Sequence, residues 1–101
     1  MQRELTDGEH FGASCTAVFG SMQDADEALR AATWQLARED DLTVFPMIPG
    51  ATYLGQPVRG IKTVAANNTP AVVLYFAEVH GKTVLLGVAR SVDDADDAET
   101  A

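Results

Sequence analysis

Arg59, Lys62, Lys82 and Arg90 are the cations between residues 42 and 92, and Glu78 is the only acid there. That stretch is therefore net positive inside a chain whose formal net charge is −8. Clustered cations on one sheet face are the minimum equipment for holding an anion, so a local anion-binding face is compatible with the overall acidity. A second grouping lies upstream. Arg30, Trp34 and Arg38 are spaced four apart, which on a helix stacks them into one ridge. Two readings of Trp34 follow. It packs beneath another element with the arginines paired to Asp26 and Glu27, or it is a partner-facing anchor, since tryptophan and arginine dominate binding hot spots.

Other chemistry is thin. The chain has no Walker loop, no Gly-x-Ser-x-Gly elbow and no Cys-x-x-Cys pair. His10, Cys15 and His80 are too scattered for a zinc site, and no cofactor or metal is expected. Cys15 reads as a small buried hydrophobe rather than a nucleophile, because no base or helix start adjoins it. The single cysteine excludes an internal disulfide and points to a reducing, cytoplasmic setting. No apolar run approaches the roughly 20 residues of a membrane helix, and a pI near 4.4 argues against broad nucleic-acid binding.

The elements that must carry these residues are legible in part. Ala71 to Arg90 reads as a β-hairpin turning at His80-Gly81. With that turn, Val79 faces Lys82, Ala77 faces Val84, Tyr75 faces Leu86 and Val73 faces Val88 on one face. Phe76 with Leu85, Leu74 with Gly87, and Val72 with Ala89 form the other. Both faces are apolar, so both need cover. Arg59 to Ala66 is a third strand, joined through Asn67-Asn68-Thr69-Pro70, which sets Lys62 against Tyr75 and Arg59 against Glu78. Arg90 then lies on the face of Lys62 and Tyr75, roughly 13 Å along the strands.

Ser21 to Asp41 is a helix, its core running from 24 to 40, capped by Ser21 or Asp24. Ala25, Ala28, Leu29, Ala32 and Leu36 form its apolar stripe. Ser14 to Phe19 is expected as a first strand, Met1 to His10 as frayed or loosely docked, and Leu42 to Phe45 as a strand end. Pro46 to Pro57 is expected as a long loop. Residues 1–92 thus form one α+β domain, a small antiparallel sheet with one main helix on it. Residues 93–101, with five acids and no base, are an acidic disordered tail.

From Asp24 to Ser91 the chain resembles the RelE/ParE superfamily of bacterial toxins. The resemblance is carried by Glu27-Ala-Leu-Arg-Ala-Ala-Thr-Trp-Gln-Leu-Ala37, Gly55-Gln-Pro-Val-Arg-Gly-Ile-Lys-Thr-Val64, Pro70-Ala-Val-Val-Leu-Tyr-Phe76 and Lys82-Thr-Val-Leu-Leu-Gly-Val88. It implies that the last two segments are paired core strands. It also implies a toxin-like protein, active or degenerate, directed at mRNA on the ribosome or at gyrase and neutralised by an antitoxin protein. For an endoribonuclease, Arg59, Lys62 and Arg90 would hold the scissile phosphate and Tyr75 would transfer a proton. The chain departs from that pattern in being acidic. Ala71 or Val72 stands where the family often has arginine, and the C-terminal end is Asp-rich.

A face of Val73, Tyr75, Val84, Leu86 and Val88 suits a protein partner or a second copy of the chain better than an RNA cleft. The alternative expectation is therefore a non-catalytic acidic interaction module, homodimeric or phage-borne, or a nucleic-acid mimic. Its partner-binding residues would be Arg30, Trp34, Arg38, Val73, Leu86 and Val88.

Overall fold

The computed structural model describes residues 3–65 and 69–90. The expected acidic tail lies outside these residues. The chain is α+β, and its described residues form five strands and two helices in the order β1 (Leu5–Asp7), α1 (Phe11–Phe19), α2 (Met22–Arg38), β2 (Met47–Tyr53), β3 (Gln56–Lys62), β4 (Val72–Val79) and β5 (Lys82–Arg90). The sheet order is β1-β5-β4-β3-β2, antiparallel except for the parallel β1–β5 pair.

The central hairpin forms as its sequence dictates. His80 and Gly81 both adopt positive φ, 53° and 78°, the requirement of a tight two-residue turn that matches strand twist. Val79 pairs with Lys82, Ala77 with Val84 and Phe76 with Leu85. The expected register then fails at a β-bulge. Beyond it Tyr75 pairs with Gly87, Leu74 with Val88, Val73 with Ala89 and Val72 with Arg90. One extra residue on β5 exchanges its faces from there on. Val88, expected on the second face, sits in the core at 6% exposure. β3 pairs two residues away from expectation, which preserves its faces. Ile61 meets Leu74, Lys62 meets Val73, Gly60 meets Tyr75 and Arg59 meets Phe76.

Helix α2 starts where its sequence signals. Ser21 accepts the Asp24 N–H at 3.1 Å. Ala25, Leu29, Ala32 and Leu36 are buried in one cluster with Leu74, Phe76, Leu85 and Val88. Its C-terminal carbonyls are met by Arg3, which donates through Nε to Leu36 O at 3.1 Å and through Nη2 to Glu39 O. A guanidinium there also complements the helix dipole.

Four further expectations are corrected. The segment expected as a first strand is helix α1. Phe11 and Cys15 are buried one turn apart, with Val18 and Phe19 packed beside them, and Gly20 ends the helix at φ 91°. The N-terminus, expected as frayed or loosely docked, contains strand β1, paired to β5 in register Leu5 to Thr83. The expected long loop is the β2–β3 hairpin, turning at Leu54 and Gly55 (φ 50° and 82°). Leu42–Val44, expected as a strand end, is a 3-10 turn. Asp41 caps it by accepting from Thr43 N at 3.0 Å and from Thr43 Oγ1 at 2.6 Å. Those two hydrogen bonds, the side-chain one foremost, hold the Asp41 carboxyl below its ordinary pKa, and nearby Arg59 acts in the same direction.

Candidate functional site

The helices cover one face of the sheet. The other is concave, because β2 does not continue flat. Its pairing with β3 shifts between Met47 and Thr52, and the arch Ile48-Pro49-Gly50-Ala51 leans over the sheet. Gly60 permits this approach. A Cβ there would lie 2.8 Å from Val73 Cγ1 and 3.1 Å from Ile48 Cδ1. Farther along, Thr52 and Tyr53 share a pocket of about 260 Å³ with Gly8, Glu9, His10 and Leu86. Strand β2 therefore reaches across the face toward the β1–α1 turn.

Between these walls runs an apolar groove of about 370 Å³, lined by Ser14, Ile48, Ala51, Val58, Tyr75, Leu86, Gly87 and Val88. Its far wall depends on the bulge. Leu86 is the extra residue on β5, half-buried beside Tyr75. Ser14 of α1 secures the strand there. Its Oγ donates to Val88 O at 2.9 Å and accepts the Val88 N–H at 2.8 Å, in the role of a neighbouring strand. Bulges commonly re-aim side chains next to functional sites.

The four expected catalytic residues do not converge. Tyr75 is half-buried in the groove, and Lys62 is exposed on the same face, diagonal to it rather than directly opposite. Arg59 is on the helix side. It does not pair with Glu78; its Nη1 donates to Phe45 O at 2.8 Å, beside a cleft of about 210 Å³ with Thr43, Gln56 and Glu78. Glu78 instead takes Arg3 at 3.3 Å. Arg90, expected with Lys62 and Tyr75, is carried to the helix side by the bulge. There it lines a cleft of about 550 Å³ with Asp24 and Glu27, two acids that oppose anion binding. The three cations expected of an RNA-cleaving centre are thus split between the two faces of the sheet, with only Lys62 on the face of Tyr75.

The expected partner-binding residues divide differently. Val73 and Leu86 are half-buried on the concave face, whereas Val88 is in the core. Trp34 is 60% exposed, with Arg38 Cζ 4.4 Å from its ring centroid. The expected pairing of Arg30 and Arg38 with Asp26 and Glu27 is absent among the described residues.

Cys15 is fully buried, and burial together with Asp26 and Asp7 pushes its thiol up to about 11, so it is no nucleophile at neutral pH. Among the described residues no group of His, Cys, Asp and Glu could hold a metal ion. No described helix is long and apolar enough to cross a membrane. Sequence reasoning missed Ile48, Ala51 and Ser14. The sequence pattern puts Ile48 and Ala51 in a loop and Ser14 in a strand. The signal that could have placed Ser14 was the helical spacing of Phe11, Cys15, Val18 and Phe19.

Comparison with known proteins returns no match: no family model, no curated protein and no solved structure is similar to the chain.

Proposed function

We propose that the chain is a toxin-like protein of a bacterial toxin–antitoxin module, of the RelE/ParE kind, that acts by binding a protein target through its concave sheet face rather than by cutting RNA. The observation that carries this reading is the bulge at Leu86. It leaves Tyr75 and Leu86 in an apolar groove and sends Arg90 to the far side of the sheet, among acids. Cutting RNA needs several charges aimed at one phosphate. Seating an apolar segment needs a concave, mostly apolar surface with a few polar groups, here the hydroxyl of Tyr75.

The element order supports the toxin-like part: a strand, then helices, then antiparallel strands with the last two paired at the sheet's centre. The net charge of −8 fits a protein target better than nucleic acid. The test is induced expression in a bacterial host, following growth and bulk protein synthesis. Growth arrest by the intact chain is expected. Normal growth with abundant soluble protein would remove the toxin-like part. The same apolar groove would then favour the second reading, a non-catalytic interaction module, to be checked by a concentration-dependent dimer in solution.

A further inference from the structure

The first 41 residues contain three arginines, Arg3, Arg30 and Arg38, among nine acids. The fold brings all three to one place. A groove of about 450 Å³ between β1 and α2 is lined by Arg3, Glu4, Leu5, Arg30, Thr33, Trp34 and Ala37, and Arg38 stacks on Trp34 at its rim. Arg3 is committed to α2 and to Glu78. Arg30 and Arg38 make no ion pair among the described residues, and Glu4 is the only acid in the lining. An exposed tryptophan between two unneutralised guanidiniums, on a chain of charge −8, is the reverse of what solubility alone would select.

The groove also borders an open strand edge. The Gly8 N–H bonds Leu85 O at 2.7 Å, toward β5. Alternate residues of a strand direct their backbone groups to opposite sides, so Thr6 faces β5 as well while Leu5 and Asp7 face away from it. Arg3 follows the same alternation, and its N–H is taken by Ala37 O of α2 at 2.7 Å. Among the described residues β1 pairs only with β5, so the outward groups of Leu5 and Asp7 have no strand partner there.

We infer that this groove takes an extended acidic segment of a partner protein, which adds as a strand to the outer edge of β1 and sets its carboxylates on Arg30 and Arg38 with an apolar side chain against Trp34. Main-chain pairing would provide affinity, and the Arg–Trp–Arg ridge would select charge. The inference does not rest on the toxin-like reading, which concerns the opposite face of the sheet.

Trp34 is the only tryptophan, so its fluorescence reports this groove alone. The full chain is titrated with a fluorescein-labelled nonapeptide alternating Glu and Val, and separately with its Lys/Val counterpart. Saturable binding of the Glu/Val peptide with a Trp34 signal is expected, weakening as salt screens the charges. The R30E/R38E double variant, altered only at exposed positions, should bind about tenfold or more weakly. Asp7→Pro, which removes an outward N–H and spares the bonds to β5, should weaken binding too. Circular dichroism of each variant confirms that the fold is kept. Failure of the Glu/Val peptide to bind by about 1 mM, equal binding of the Lys/Val peptide, or indifference to R30E/R38E would each overturn the inference. So would binding that appears only when Asp93, Asp94, Asp96, Asp97 and Glu99 are neutralised to their amides, because the occupant would then be the chain's own acidic end.

Discussion

Cys15 and Thr83 show how burial decides what a reactive side chain can do. The Cys15 thiol, raised from 9.0 to about 11 by burial and then by Asp26 and Asp7, stays protonated in the fold well past the point where an unfolded thiol ionises. Between about pH 9 and 11 the folded chain therefore holds one more proton than the unfolded chain. This contribution to stability is full below pH 9 and is lost as pH rises through 11. A thiol reagent at pH 7.5 should leave native Cys15 unmodified and label it on unfolding; rapid stoichiometric labelling of the native chain would contradict its burial. Thr83 is 1% exposed on β5, and its hydroxyl has no hydrogen-bond partner among the described residues. Thr83→Val keeps the β-branched shape and removes that polar atom. It should raise stability by about 1 kcal/mol in urea denaturation, whereas a loss would reveal a hydrogen bond that Thr83 makes in solution.

At the scale of elements, the joint between α1 and β5 determines the groove. Ser14 makes both hydrogen bonds to Val88 just past the bulge, so Ser14→Ala leaves a backbone donor and acceptor unmatched. A destabilisation of about 1–3 kcal/mol is expected, together with faster amide exchange at Val88 but not at Leu85, whose strand is held by β1.

The same joint explains what the sequence could reveal. The hairpin at His80-Gly81 and helix α2 were legible, because a turn with glycine and an apolar stripe with a serine cap are local signals. Helix α1 was not: Ser, Cys, Thr and Val in Phe11–Phe19 carry β-like composition, and its helical pattern is only two turns long. The β2–β3 hairpin was hidden by Pro49 and Pro57 in its strands. Leu54 also occupies a positive-φ turn position usually given to Asn, Asp or Gly. The bulge has no local signature. Helix α1 packed against β5 places Val88 rather than Leu86 in the core, and a strand-by-strand reading cannot foresee that.

Over the whole molecule, one extra residue in β5 redistributes the chemistry. Without the bulge, Arg90 would share a face with Lys62 and Tyr75, the arrangement an RNA-cleaving toxin would call for. With it, Arg90 joins Arg59, which β3 places on the helix side in either case, and the concave side keeps an apolar groove with Lys62 at its margin. Acids dominate both ends of the sequence while the sheet is mildly basic. The apolar groove and the Trp34 ridge thus lie apart, and the two proposals made for them can be tested separately.

The most direct measurement is growth and bulk protein synthesis in a bacterial host expressing the wild type, Leu86→Glu or Lys62→Ala, at matched soluble levels. Leu86 is half-buried at the groove wall and outside the core, so a charge there disturbs the surface more than the fold. The account predicts arrest by the wild type and by Lys62→Ala, and normal growth with Leu86→Glu. Arrest that survives Leu86→Glu but is lost in Lys62→Ala would contradict it and return the chain to an RNA-directed mechanism.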